Sequence, residues 1–189
     1  MTGLKPLREK LIPASMNELD IAMEKDSELK DFITTRGKDL PESYINLIDE
    51  VAPFALEANL YYLIEQSIKL GLKCLFSVSK DGLYEGFIAY RVKGNEVNGI
   101  KMFSIREKHS DFTFQRDLKE FIRDILLPKY DKISWTAKKR NTANKSYRNT
   151  IKEFNGHQNP PFDENYKKLS DDTIIHYWID KTNKLNSKP

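Results

Sequence analysis

The chain has 189 residues, enough to bury a core without disulfides or metals. Its 31 Lys and Arg against 28 Asp and Glu leave a net charge of +3, too slight an excess to indicate nucleic acid, and an aromatic content of 11% argues against a disordered chain. Cys74 is the only cysteine, which excludes a disulfide framework or a cysteine zinc site within one chain, and no apolar run is long enough to span a bilayer.

The opening residues, Met1 to Pro6, carry no apolar signal region, so a cytoplasmic protein is expected, with one domain over 1–183 and a flexible tail over 184–189. Leu7 to Ile12 reads as a short first strand. Ser15 and Glu18 form a capping box that starts a helix through Leu19, Met23, Leu29 and Phe32, with a break near Asp26 and an end at Gly37. Asp39-Leu40-Pro41-Glu42 starts a second helix bearing Tyr44, Leu47, Ile48 and Val51, and Pro53 resets the chain. A third helix places Leu56, Leu60, Leu63, Ile64 and Ile68 on one stripe and closes at Gly71.

The period then changes from helical to alternating. Leu72 to Val78 reads as a strand, Lys80-Asp81-Gly82 as a hairpin turn, and Leu83 to Val92 as a strand apolar on both faces. After Lys93-Gly94-Asn95, Val97 to Ile105 completes an antiparallel meander. A polar turn, Arg106 to Asp111, leads to a helix starting near Thr113, with Phe114, Leu118, Phe121, Ile122 and Ile125 on its apolar stripe and Pro128 as its stop. A strand running into a helix N-terminus aims backbone amides and a positive dipole end at one point, a disposition suited to phosphate. Ile133 to Ala137 is a strand reached by a helical crossover, so it is expected parallel to the strand before that helix. Asn141-Thr142-Ala143-Asn144 starts another helix, with Ala143, Tyr147, Ile151 and Phe154 in register and Asn155-Gly156 as its stop. Gln158 to Phe162 reads as a proline-bearing loop and Thr173 to Ile179 as the last strand.

This order of elements resembles the GNAT superfamily of N-acetyltransferases over nearly the whole chain. Lys10-Leu11-Ile12-Pro13-Ala14-Ser15 leading to Glu18-Leu19 is similar to that family's first strand and helix, and Glu85-Gly86-Phe87-Ile88-Ala89 to its third strand. Asn141, with an aromatic further along the helix and a glycine after it, is similar to the segment before its last strands. The resemblance implies an α+β fold with a mixed, mostly antiparallel sheet flanked by helices, behind a helical N-terminal region. It also implies an acyl-CoA-dependent N-acyltransferase, passing acetyl from acetyl-CoA to a small-molecule or peptide amine by direct attack. The family's phosphate loop reads R/Q-x-x-G-x-G/A, and here Ser110-Asp111-Phe112-Thr113-Phe114-Gln115 stands in its place, with no glycine. A carboxylate at Asp111 about 6 Å from a phosphate costs roughly 3 kcal/mol at an effective dielectric of 20, unless it turns away to cap the helix.

The resemblance assigns the cofactor to the backbone of Met102, Phe103, Ser104 and Ile105, to the amides of Thr113, Phe114 and Gln115, and to Asn141 and Asn144. Tyr147 is the candidate acid for the leaving thiolate, and Glu85 or Glu96 the candidate base, collecting the amine proton through water. Each has a plainer reading: Tyr147 lies on an apolar stripe, the asparagines are helix caps, and both glutamates sit at strand starts open to solvent. Lys101 stands where the family often carries an acid. Lys138, Lys139, Arg140, Lys145 and Arg148 form a basic cluster that the resemblance would turn to the ribose phosphate of coenzyme A; it reads otherwise as a solvated face, or as a contact for nucleic-acid phosphate with Trp135 or Tyr147 nearby. His109, His157 and His176 are too scattered for a metal motif, and no metal is expected. The other class of function is a GNAT-shaped module without catalysis that binds a protein or nucleic-acid partner. Nucleic acid is the less expected of the two, no membrane contact is expected, and the assembly is expected to be a monomer or homodimer.

Overall fold

The computed structural model describes residues 5–108 and 110–181. Seven strands form one sheet in the order β1-β2-β3-β4-β5-β7-β6: β1 (Leu11–Pro13), β2 (Lys73–Val78), β3 (Tyr84–Lys93), β4 (Glu96–Ser104), β5 (Lys132–Lys138), β6 (His157–Asn159) and β7 (Ile174–Asp180). Every neighbouring pair is antiparallel except β4 with β5, the parallel pair that the helical crossover demands. Among the described residues the helices are α1 (Leu7–Lys10), α2 (Met16–Lys25), α3 (Ser27–Thr34), α4 (Glu42–Val51), α5 (Leu60–Lys69), α6 (Phe114–Glu120) and α7 (Asn144–Glu153). None is long and apolar enough to cross a membrane. The α+β fold expected from the sequence is the one observed.

Alternation along the strands sorts the apolar residues to two faces. Phe87, Ala89, Phe103 and Ile105 meet α2 to α5 through Leu19, Leu29, Ile33, Ile48, Leu60 and Ile64. Ile88, Tyr90, Met102, Trp135 and Tyr177 meet α6 and α7 through Leu118, Phe121, Tyr147 and Ile151. On β4, Val97, Ile100 and Met102 share this second face although their spacing breaks the period of two. A bulge opposite Tyr90 accounts for it, with Gly99 at φ 68° taking the left-handed conformation that the extra residue requires.

Local signals set the helix ends. Ser15 accepts the Glu18 amide at 3.1 Å, and Asp26, which ends α2, accepts the Leu29 amide at 3.2 Å to start α3. Asn59 caps α5 by accepting the Tyr62 amide at 2.9 Å, so α5 starts at Leu60 and leaves Leu56 in a separate 3₁₀ turn, later than the stripe had suggested. Leu7 to Ile12 is a helical turn before it is a strand: Leu7 and Lys10, three apart, are both buried, and the Leu7 amide donates to Glu120 Oε2 at 2.9 Å. The region expected to be a loop after Gly156 begins with β6, an edge strand of polar residues held by His157 stacking on Trp178. The helix at Phe114 widens after Glu120 into a π-helical turn over Phe121–Leu126. Cys74 is half-buried, and burial pushes its thiol up to about 11. The tail at Lys184 to Pro189 lies outside the described residues.

Gly37 tests how tightly the helical layer is joined. A Cβ there would lie 2.4 Å from the Ala55 carbonyl oxygen and 2.9 Å from Leu56 Cα, backbone atoms that cannot rotate aside. Gly37→Ala is therefore expected to cost about 2–3 kcal/mol of stability, read in urea unfolding as a lower midpoint with an unchanged slope.

Candidate active site

The parallel pairing of β4 and β5 covers only Glu96–Lys132, Val97–Ile133 and Asn98–Ser134, after which both strands run on without pairing to each other. On its other side β4 stays bonded to β3 up to Ser104. The Ile105 amide donates to the Glu85 carbonyl at 3.0 Å, and this fixes the phase of the ladder. Met102 and Ser104 therefore turn their backbone groups away from β3 and into the gap. There the gap opens into a cavity of about 350 Å³. Its walls are Met102, Phe103 and Ser104 from β4, and Ser43, Tyr44 and Leu47 from α4. Phe112 and Phe114 come from the loop and the start of α6, and Asn141, Thr142, Ala143, Ser146 and Tyr147 from the corner between β5 and α7. No charged side chain is among them. Beside it Ile100, Leu118, Trp135 and Tyr147 enclose a gap too small for a water molecule, and the buried Trp135 Nε1 has no hydrogen-bond partner among the described residues.

Helix α4 holds the two diverging strands. The Tyr44 hydroxyl donates to the Ser104 carbonyl at 2.7 Å, and burial pushes its pKa up to about 12. Glu50 accepts the Lys138 amide at 2.8 Å with Oε1 and the Asn141 side-chain amide at 2.9 Å with Oε2, and burial raises its pKa above the usual carboxylate value. Asp49 pairs with Arg140 beside it. Sequence reasoning missed Tyr44 and Glu50 as parts of the site. Each acts across 60 or more residues of chain, and Tyr44 reads locally as one more member of an apolar stripe.

The residues expected to meet the cofactor divide into two groups. Met102, Phe103, Ser104, Phe114, Asn141 and Tyr147 come together in the cavity wall. Ile105 is buried on the α2–α5 face instead. Asn141 also caps the turn into α7 by accepting the Ala143 amide at 2.8 Å. Asn144 is fully engaged elsewhere: its amide donates to the carbonyls of Lys138 and Lys139, and its oxygen accepts from the Tyr177 hydroxyl at 2.6 Å. Tyr147 is packed edge-on against Phe114 and Trp135 and tilted against Tyr177, with ring centroids 5.3 to 5.7 Å apart. Burial, and secondarily the charge of Glu50, hold its pKa well above the ordinary tyrosine value, so it keeps its proton through the neutral range.

Glu85 is the clearest correction. Far from a solvated strand end, it is 1% exposed, forms an ion pair with the buried Lys10 at 3.6 Å, and is not among the residues that line the cavity. Its Oε2 accepts the Asp111 amide at 2.5 Å. Next along the loop, the Phe112 amide donates to Ser110 Oγ at 3.0 Å and the Thr113 amide to Asp117 Oδ2 at 2.9 Å. Arg116 binds Asp117 and also donates to the Asp111 carbonyl. Gln115 follows in the first turn of α6. The Phe112 ring lies on Gly86 of β3, where a Cβ would come within 2.6 Å of it. Glu96 is exposed at the far end of β4 from the cavity. Lys101 is half-buried, and burial lowers its pKa.

The basic cluster is likewise not a free cationic face. Arg140 pairs with Asp49 and Asp172, and Lys138 lies 3.7 Å from Asp172. Lys139 donates to the carbonyls of Lys167 and Leu169, and the Arg148 guanidinium sits 4.1 Å over the Phe162 ring, while Lys145 is exposed.

No protein-family model matches the chain, and no curated protein does. Solved structures match over almost its full length. An aminoglycoside acetyltransferase AAC(6')-Ib in complex with paromomycin and acetyl-CoA aligns with 95% of this chain and 97% of its own, at 8% identity and a TM-score of 0.51. The same enzyme with coenzyme A and kanamycin aligns with 95% of this chain and 99% of its own, at 9% identity and a TM-score of 0.51. A GNAT-family acetyltransferase from Staphylococcus aureus Mu50 aligns with 90% of this chain and 98% of its own, at 14% identity and a TM-score of 0.45. The chain has the fold of the GNAT acetyltransferases.

Proposed function

We propose that this chain is an N-acyltransferase that takes its acyl group from a coenzyme A thioester, acetyl-CoA by default, and passes it to the amine of a small molecule or peptide. One observation carries the reading: an uncharged cavity lies in the opening between β4 and β5, with the backbone groups of Met102 and Ser104 and the Tyr147 ring at its wall. The structures that share the fold at a TM-score of 0.51 hold acetyl-CoA or coenzyme A, which supports the choice of donor.

In the reaction, the amine nitrogen attacks the thioester carbonyl while backbone N–H groups of β4 stabilise the developing oxyanion. The C–S bond then breaks and the sulfur leaves as a thiol. Tyr147 gives its hydroxyl proton to the sulfur and regains the one that the nitrogen sheds, so no separate base is consumed. Burial keeps this phenol protonated and so available as a donor at neutral pH, and the proton shed by the nitrogen restores it after transfer to sulfur. The second reading, a module that binds a partner without catalysis, draws on the loop amides of Asp111, Phe112 and Thr113 being filled by the chain's own side chains.

Tyr147→Phe keeps the ring among Phe114, Trp135 and Tyr177 and deletes only the proton, so thiol release is expected to fall roughly 10²-fold or more while the melting temperature scarcely moves. Tyr147→Ala should instead cost on the order of 3 kcal/mol of stability through the cavity it leaves. An unchanged rate in the Phe variant would take Tyr147 out of the chemistry, and slow acetyl-CoA hydrolysis serves as the assay where no acceptor is known.

The pH profile gives a separate check. The relay needs Tyr147 protonated, and its raised pKa places the alkaline fall in rate above pH 10. A fall between pH 8 and 9 that Tyr147→Phe abolishes would contradict a raised pKa.

A further inference from the structure

We infer that this chain recognises its acyl donor through the pantetheine arm alone and does not read the nucleotide end of coenzyme A, so that its donors are pantetheine thioesters as a class. The inference rests on the acyltransferase reading and sharpens it.

Three successive amides of the loop before α6, those of Asp111, Phe112 and Thr113, are already hydrogen-bonded within the chain. Those of Asp111 and Thr113 are held by Glu85 and Asp117, carboxylates that are each 1% exposed. A diphosphate brought to this loop would find those donors taken and two buried negative charges in the place where it needs positive ones. Of the cations around the loop, Lys10 pairs with Glu85 and Arg116 with Asp117, while Lys108 is exposed. Phe112, folded onto Gly86, fixes the loop in this closed form. Displacing Glu85 would also strand Lys10, which is 6% exposed.

The cavity has the opposite character. Pantetheine is an uncharged chain of two amides, two hydroxyls, a pair of methyl groups and a sulfur, one of the hydroxyls being the attachment point for phosphate. Against it stand the gap-facing backbone groups of Met102 and Ser104 and the apolar Leu47 and Phe112. At about 350 Å³ the cavity lies at the small end of the roughly 300–1,000 Å³ found for ligand sites, a size for the arm and not for the whole coenzyme. The arm can come from free thioesters or from one tethered to a carrier protein.

The test uses the full-length protein with acetyl-CoA, acetyl-pantetheine and an acetylated phosphopantetheinyl carrier protein, with binding read by calorimetry and turnover by thiol release. The expected result is that acetyl-pantetheine and acetyl-CoA agree in Kd and kcat/KM within about threefold, since the remote part of the larger donor contributes no binding energy. The Kd for acetyl-CoA is also expected to move less than about twofold between 50 and 500 mM salt, because no phosphate contact is there to be screened. An advantage of roughly 100-fold or more for acetyl-CoA, lost at high salt, would overturn the inference and leave the acyltransferase reading standing. Failure of all three donors to bind or react would overturn that reading and the inference with it. If acetyl-pantetheine and acetyl-CoA agree, a carrier protein that exceeds both identifies the tethered arm as the source, and a carrier protein that does not exceed them identifies free thioesters.

Discussion

Beyond Asn98 the strands β4 and β5 part in the middle of a seven-stranded sheet, and each exposes a row of backbone groups that a continuous ladder would have paired. Buried amides and carbonyls without partners cost about 1–3 kcal/mol each, so the parting has to be answered from elsewhere in the chain. Helix α4 gives part of that answer. Tyr44 takes the Ser104 carbonyl on one strand, and Glu50 takes the Lys138 amide on the other. Met102 is left facing a space lined by hydroxyls and rings. The same divergence thus creates the cavity and dictates that a helix from the N-terminal layer must close it.

The loop before α6 is stabilised by a different balance. Glu85 and Asp117 are carboxylates out of water, and such groups persist only when paired and hydrogen-bonded. Lys10 pairs with Glu85 and the Asp111 amide bonds its Oε2, leaving Oε1 without a hydrogen bond, while Arg116 and the Thr113 amide hold Asp117. The helical turn α1 is part of this arrangement, since it carries Lys10 inward while Leu7 docks beneath α6. Two amides of the loop before α6 are thereby satisfied from within the chain. Loop sequence alone could not show this, because Glu85 and Asp111 are 26 residues apart.

What the sequence conveyed was whatever acts locally or by period. Asp81-Gly82 marked the β2–β3 hairpin, the apolar stripe after Thr113 marked the crossover, and together they imply the parallel placement of β5. The elements it concealed are short or ambiguous in pattern. In α1, Leu7 and Lys10 make a single turn, and the stem of a lysine is as easily buried as it is exposed. In β6, His157, Gln158 and Asn159 carry no apolar alternation and precede a proline, so only pairing with β7 makes them a strand. The site divides in the same way. Tyr147, Asn141 and the Met102–Ser104 run are visible along the chain, whereas the roles of Tyr44, Glu50 and Phe112 exist only once α4 and the loop are packed against the sheet.

The widened turn at Phe121–Leu126 bears on how this chain can change over evolutionary time. The Leu127 amide reaches back to the Ile122 carbonyl at 2.9 Å, five residues away, so the helix carries one residue more than an α-helical ladder would use. Phe121, Ile122 and Leu126 face the core, while Arg123 faces out beside Asp124. Loss of one residue there would let the turn tighten to an ordinary helix while Phe114 and the cavity at one end, and β5 at the other, kept their places. Length differences between this chain and its descendants should therefore collect at this turn, where alignment gaps would mark a spare residue and not a change of chemistry.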